Sequence, residues 1–291
     1  MEEKKVTVVI PSYNRADKIE KSVLSVLNQS YKNFEIIIVD DGSTDNTEEV
    51  IRSMQQKYGK IRYIKVKNGG ANRARNIGIQ SADEGTYAIA FHDSDDEWRP
   101  SKLENTMKAM EEHRVSVVFS SIMIHYVTRG TSKVVPQGWT KDSVKTRLLY
   151  ENIISTPSLV VKKEVFNEIG VFNEKLRRFQ DWDLVSRISQ QYEIHYLPQV
   201  LVDQYQYGDN ISMNNEAAIE TLNYFEIQNE EIFKKHLREK AMFYFTCSVV
   251  REGKEKKAYL RKCFFTYPPI VIDFVKRLFF RGKEYTPRGN E

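Results

Sequence analysis

Cysteine is almost missing from this chain of 291 residues, which has only Cys247 and Cys263. Two isolated thiols make neither a disulfide framework nor the paired spacing of a zinc site, so a reducing cytoplasm is the expected setting. No run of about eighteen uncharged apolar residues occurs, and no membrane span is expected. The Met-Glu-Glu-Lys-Lys start lacks the apolar stretch of a signal peptide. Glycine is absent where a dinucleotide-dependent dehydrogenase would want Gly-x-Gly-x-x-Gly. After the first strand-like run the chain reads Pro11-Ser12-Tyr13-Asn14-Arg15-Ala16. There is no internal repeat and no long low-complexity tract.

What is present suits a packed globular core, with 41% apolar and 12% aromatic residues. The net charge of +4 is unevenly spread. Residues 234–291 hold fifteen Lys/Arg against six Asp/Glu, a net of +9, which leaves −5 for the first 233 residues.

Hydrophobic periodicity predicts alternating strands and helices over the first 119 residues. Val6 to Ile10 and Glu35 to Val39 read as buried strands, and Ile61 to Val66, Tyr87 to Phe91 and Val115 to Phe119 as further strands. Between them, Ile19, Val23, Val26 and Leu27 share one helical face, as do Val50, Ile51 and Met54 behind a cap at Asp45. Arg73 to Ile79 reads as a helix after the Gly69-Gly70 turn, and Pro100 suits the first turn of a helix carrying Leu103, Met107 and Met110. This alternation predicts an α/β fold with a mostly parallel, doubly wound sheet, whose ligands lie beyond the carboxyl ends of its strands. Residues 120–215 read as a less regular second lobe. Within it Gln180-Asp181-Trp182-Asp183 would cap a helix from Leu184 to Gln190, and Gln204 to Asn215 would form a mobile loop. Residues 216–291 read as a helical, basic extension.

Acidic residues cluster at two predicted strand ends, Asp40-Asp41 and Asp93-Ser94-Asp95-Asp96. Carboxylates converging on one crevice repel each other unless a cation intervenes, and hard oxygen ligands select Mg²⁺ or Mn²⁺. Turn residues and helix caps would account for the same aspartates.

Four segments in order resemble glycosyltransferase family 2 with its GT-A fold: Val8 to Arg15, Val39 to Asp45, Asn68-Gly69-Gly70 with Ala74 to Gly78, and Asp93 to Asp96. Gly170 to Glu174 and Gln180 to Leu184 extend the likeness, which runs from about residue 6 to 190. The resemblance implies an inverting glycosyltransferase with a nucleotide-sugar lobe at 1–119, an acceptor lobe at 120–215 and the extension at 216–291. Carried over by position, it implies that Pro11 and Tyr13 line the base and that Asp40 accepts a hydrogen bond from uracil or thymine. Gly70 would lie close to the nucleotide, with Arg75, or else Arg73, near base or phosphates. Asp93, Ser94 and Asp95 would hold the diphosphate and an Mn²⁺ or Mg²⁺ ion, with Asp95 and Asp93 as its ligands, and Asp181 would be the general base. His92 stands where the family usually has an aliphatic residue, as a satisfied strand histidine or a polar contact near the diphosphate. Gln180 stands where many relatives have Glu. The implied donor is a UDP-sugar, with a dTDP-sugar or a non-catalytic sugar-nucleotide-binding role as alternatives, and the implied acceptor is a glycan or lipid-linked glycan of cell-surface polysaccharide synthesis.

From Lys254 to Lys283 basic residues interleave with Tyr259, Phe264, Phe265, Tyr267, Phe274, Phe279 and Phe280. That pattern predicts peripheral contact with the anionic inner face of the cell membrane; a dimerisation arm is the alternative. Nucleic acid is not expected as a partner, since no recognition motif is present and the main body is acidic.

Overall fold

The computed structural model describes residues 4–136, 143–207 and 215–272. The chain divides into two compact units, Met1–Pro136 with Asn152–Asn214, and Gln137–Glu151 with Asn215–Glu291.

In the first unit, β1 (Val6–Ser12), β2 (Phe34–Asp40), β3 (Ile61–Lys65) and β4 (Ala88–Phe91) pair in parallel in the order β3-β2-β1-β4. Strands β1, β2 and β4 are buried along their whole length, which is why they read as continuous apolar runs. Their side chains alternate between the two faces. Val6, Val8, Ile10, Ile36 and Ile38 meet α1 (Ile19–Leu27), α2 (Thr47–Lys57) and α4 (Lys102–Glu112), while Ile37 and Val39 meet Ala74 of α3 (Ala71–Gln80) on the other face. Helices on both faces make this half doubly wound. Gly78 permits the close approach of α3, since a Cβ there would come within 2.3 Å of Val9 Cγ1.

Beyond β4 the sheet is mixed. It continues through β8 (Leu159–Lys162), β6 (Val117–Tyr126), β9 (Ile194–Gln206) and β5 (Glu97–Trp98), with β7 (Thr131–Val135) paired to β6. Strand β8 runs antiparallel to both β4 and β6, and β9 runs parallel to β6. The sheet is thus parallel through its first four strands and again between β6 and β9. Strand β6 extends seven residues past the predicted Phe119 because β7 and β9 pair with that stretch, although Ser120, Ser121 and His125 break its apolar pattern. Strand β9 includes Gln204 to Gln206, which pair with Ile124 to Tyr126, so the start of the predicted loop is strand; residues 208–214 of that loop lie outside the described residues. Pro198 sits where the β6–β9 register shifts, a position at which a missing N–H is tolerated.

Several helix starts differ from expectation. Asn46, not Asp45, precedes α2; Asp45 instead accepts from the Thr47 amide at 3.0 Å in a turn. Pro100 lies two residues before α4. Gln180 to Asp183 form the first turn of α7 (Gln180–Gln191) instead of capping it, and acidic residues there complement the helix dipole.

The second unit is helical among its described residues: α5 (Val144–Leu148), α8 (Asn215–Gln228), α9 (Glu230–Lys235), α10 (Leu237–Val249) and α11 (Gly253–Thr266). Phe233 and Phe243 pack with ring centroids 5.2 Å apart, and the buried Arg251 donates to Cys247 O and Asn223 Oδ1 while lying 4.0 Å from the Tyr259 ring centre. The short α6 (Val165–Ile169), of the first unit, leads into the Gly170 turn.

Candidate active site

Strands β1, β2 and β4 end on the same edge of the sheet, which brings Tyr13, Asp41 and Asp93 to one side of the molecule. Pro11 is accommodated because β4 ends opposite Val9, so no partner on that side needs its absent N–H. Pro11 itself is buried, whereas the Tyr13 ring is 45% exposed and presents a face for stacking. Asn14, in a left-handed conformation at φ 50°, stitches the first two strand ends together. Its amide donates to Ser43 Oγ at 2.9 Å and its side-chain oxygen accepts from the Thr44 amide at 2.8 Å.

Asp40 is the residue expected to accept a hydrogen bond from the base. It is fully buried, with Oδ1 accepting from the Ser43 amide at 2.7 Å and Oδ2 from the Tyr63 hydroxyl at 2.6 Å. Burial and the Asp40 carboxylate hold the Tyr63 phenol above its ordinary value. Asp41 accepts from the Gly69 and Gly70 amides at 2.8 and 2.7 Å, which fixes the turn into α3. Gly70 has φ 93°, a conformation that L side chains rarely adopt, and is exposed.

The two arginines of α3 part company. Arg73 donates to Lys67 O at 3.0 Å, closing its own loop. Arg75 is buried, and its Nη2 donates to Asp93 Oδ1 at 2.9 Å. Its Nε is buried with no hydrogen-bond partner. Ser94 is turned in and buried, leaving Asp93 and Asp95 with side chains 25% and 30% exposed. Burial and then the neighbouring charge of Asp93 push the Asp95 carboxyl up, against the pull of Arg15, 3.5 Å away, and Lys18. Asp96 is buried, and burial with the charges of Asp93 and Asp95 holds its carboxyl well above the ordinary range; Gln204 Nε2 donates to it at 3.2 Å.

His92, expected as a satisfied strand histidine or a polar contact near the diphosphate, lies just past β4, and its Nδ1 is buried with no hydrogen-bond partner among the described residues. It is fully buried beside Trp98, with Nε2 2.8 Å from Ser22 Oγ, and Ser22 in turn donates to Asp93 O at 3.0 Å. Burial pushes its pKa down to about 3, so the imidazole is neutral and supports the Asp93 turn.

Among the described residues no group of three or more His, Cys, Asp or Glu side chains is disposed to hold a metal ion. The donor chemistry nonetheless fits Mn²⁺ or Mg²⁺. Such ions keep several waters and take one or two carboxylates together with substrate phosphates, and Asp93 and Asp95 are neighbouring carboxylates that keep part of their side chains exposed beside Arg75 and Arg15.

Asp181 is carried to the same crevice by a braced loop. Asn72 Nδ2 donates to Asn173 O and Leu176 O, and Asn76 both donates to Phe172 O and accepts from the Phe172 amide. From α7, Arg187 donates to Ile169 O and Val171 O and pairs with Asp183 at 2.9 Å. Asp183 is therefore structural. Phe179, left-handed at φ 56°, turns the chain into α7, and Trp182 is buried core. Asp181 keeps partial solvent access at the foot of the crevice. Burial raises its carboxyl above the ordinary range, while the Trp182 amide, the Arg75 charge and Asn152 pull it down. Arg75 thus acts electrostatically on both Asp93 and Asp181.

The residues that motif reading passed over are the Asp41 clamp, Arg15 and the bracing asparagines. Asn14, Arg15 and Asn76 lie inside quoted segments, whereas Asn152 carries no sequence signal.

The model of the family described as Glycosyl transferase family 2 matches residues 7–170. An uncharacterized glycosyltransferase of Rickettsia felis is 37% identical over 179 residues, which cover 61% of this chain and 29% of that protein. The chain thus spans less than a third of that relative's length. A putative teichuronic acid biosynthesis glycosyltransferase, TuaG of Bacillus subtilis, is 34% identical over 177 residues, covering 60% of this chain and 68% of that one. The fold is similar to that of S. aureus TarS in complex with UDP-GlcNAc, with a TM-score of 0.69 and 20% identity over 92% of this chain and 82% of that one. It is also similar to mannosyltransferase PcManGT from Pyrobaculum calidifontis in complex with GDP-Man and Mn²⁺, with a TM-score of 0.65 and 17% identity over 96% and 81%. The architecture is GT-A.

Proposed function

Because the chain belongs to glycosyltransferase family 2, we propose that it moves a sugar, with inversion, from a UDP-sugar to a hydroxyl of a glycan acceptor in cell-surface polysaccharide synthesis. One observation carries this reading: Asp181, a carboxylate with a raised proton affinity, feels the charge of Arg75, whose Nη2 donates to Asp93. The acceptor oxygen attacks the anomeric carbon, the bond from that carbon to the diphosphate breaks, and Asp181 takes the hydroxyl proton. Asp93 and Asp95 would hold Mn²⁺ or Mg²⁺, which when bound neutralises charge on the departing diphosphate. Arg75 orients Asp93 from a buried position and favours the ionised form of Asp181. Tyr13 would stack on the base, and Gly70 would let the nucleotide pass close to the backbone. With Asp40 sealed, the choice of uracil rests on the likeness to a protein bound to UDP-GlcNAc. A dTDP-sugar is the competing donor.

Measuring nucleoside diphosphate released from a panel of UDP-, dTDP- and GDP-sugars, with and without Mn²⁺, tests the donor and the metal together. We expect release from a UDP-sugar only, dependent on the metal and abolished in Asp95→Ala. Asp181→Asn should lower kcat about 10²- to 10⁴-fold with little change in donor KM, and undiminished turnover would overturn the assignment of the base.

Peripheral membrane contact finds support in α11. At 100° per residue its outward side, opposite the buried Cys263, carries Lys254, Lys257, Ala258, Arg261, Phe264 and Phe265. That side has no acidic residue, and Phe265 is 84% exposed. Basic stems beside aromatic rings suit an anionic bilayer surface, where a lipid-linked acceptor would lie. No helix among the described residues is long and apolar enough to cross a membrane.

A further inference from the structure

The carboxylate of Asp181 is held by one oxygen only. Oδ1 accepts two hydrogen bonds, from the Trp182 amide at 2.8 Å and from Asn152 Nδ2 at 3.0 Å. Among the described residues no donor meets Oδ2. We propose that Asn152 is a positioning residue for the transfer reaction, pinning Oδ1 so that Oδ2 alone takes the proton of the attacking hydroxyl. The inference rests on the reading of Asp181 as the base.

A carboxylate is symmetric, so an untethered one rotates and spreads its basicity over two directions. Two donors on a single oxygen remove that freedom before the acceptor arrives, and such preorganisation lowers the entropic cost of reaching a reactive geometry. The donors also differ in kind. The Trp182 amide belongs to the helix that carries Asp181 and cannot set the carboxylate against the rest of the crevice. Asn152 comes from a different part of the chain, 29 residues earlier, and ties the carboxylate to the segment that leads into β8. Asn152 Oδ1 accepts from the Ile154 amide at 3.4 Å, which assigns Nδ2 as the end facing Asp181. An ionised carboxylate at position 152 could accept from Ile154 in the same way, could donate nothing to Asp181 and would set a like charge beside it.

With Oδ1 committed, the partial solvent access of Asp181 falls to Oδ2. During transfer the acceptor O–H bond breaks as its oxygen bonds to the anomeric carbon, the proton goes to Oδ2, and the electron pair of the broken glycosyl bond leaves on the diphosphate. The Asn152 hydrogen bond also lowers the carboxyl's proton affinity, opposing the effect of burial, and so keeps the base ionised over a wider pH range.

Carbon-detected NMR titration of the metal-free full chain, with the Asp181 carboxyl assigned by loss of its signal in Asp181→Asn, reads this directly. In Asn152→Asp and Asn152→Ala we expect the Asp181 titration to move up by about one pH unit or more. The acid limb of the kcat profile, measured on the donor that the panel selects, should move with it. At its plateau kcat should fall about tenfold with donor KM unchanged. Asn152→Asp is nearly isosteric and guards against a folding defect in the alanine variant. If both variants fold and the Asp181 titration stays where it is in the natural chain, the positioning role is overturned while the base reading stands. If the titration moves but Asp181→Asn turns over at the natural rate, the base reading has failed and the positioning role fails with it.

Discussion

At the scale of single residues, the site is surrounded by buried ionisable groups whose charge states follow from their surroundings. Lys102 is the clearest case. It is fully buried, with Nζ 3.3 Å from Ser158 O and 4.6 Å from the centre of the Trp98 ring, and burial pushes its pKa down to about 7. In the unfolded chain a lysine titrates near its ordinary value of 10.5. Between those two values the unfolded state binds more protons than the folded one, so this residue makes stability rise with pH from about 7 to 10.5. Below that window the cost of burying the charged form is fully present. Lys102→Met should raise stability near neutral pH by about 1–4 kcal/mol and flatten the rise above pH 7. Guanidinium melts at several pH values would show it, and an unchanged slope would contradict it.

The same scale explains which site residues could be read in advance. Asp93, Asp95 and Asp181 were legible because each follows an apolar run or heads a helix within an ordered set of motifs. The orientation of Asp40 was not. Adjacent residues at a strand end point opposite ways, and only the parallel pairing of β2 with β3 reveals that Tyr63 reaches the Asp40 carboxylate. Asn152 was illegible for a different reason, since a lone asparagine in an irregular stretch becomes meaningful only through its partner.

At the scale of elements, the placement of α3 decides how the crevice is built, because this helix carries Arg75 toward Asp93 and Asn72 and Asn76 toward the loop before α7. Its approach to the sheet depends on Gly78. Gly78→Ala would place a methyl group against a buried valine of a central strand, and neither backbone has room to retreat. We expect a loss of about 1–3 kcal/mol in stability and a larger fractional loss of turnover than of folded protein, as Arg75 and the bracing asparagines shift with the helix. Comparing the melting curve with specific activity at a temperature well below the transition separates the two effects. The alternation of β1 to β4 with α1 to α3 was visible in the sequence because each buried strand is an uninterrupted apolar run. Strands β6 and β9 were only partly visible, since polar residues in β6 and Pro198 in β9 interrupt their patterns while pairing with each other, and with β7 and β5, sustains the strands.

At the scale of the whole molecule, the uneven charge of the sequence has a location in α11, where lysines and an arginine flank exposed Phe264 and Phe265. Full chain carrying Phe264→Ser and Phe265→Ser, or Lys257→Glu and Arg261→Glu, should pellet less with vesicles containing about 30% anionic lipid than the natural chain does. High salt should weaken the natural chain's binding as well. Equal pelleting of all three proteins would remove α11 from the membrane reading.

The reversal of strand direction between β4 and β8 has a consequence for the order in which this chain becomes competent. Residues that follow parallel strands and residues that precede an antiparallel one arrive at the same edge of the sheet, which is how Asp93, after β4, and Asn152, before β8, come to share a crevice. The carboxylates proposed to hold the diphosphate come from the first third of the polypeptide, and the proposed proton acceptor from residues far downstream. On that proposal a growing chain would acquire the means to hold a leaving group well before the means to activate a nucleophile, since contacts of such long sequence separation form late in folding. Transfer chemistry is in this sense the last property of the fold to appear.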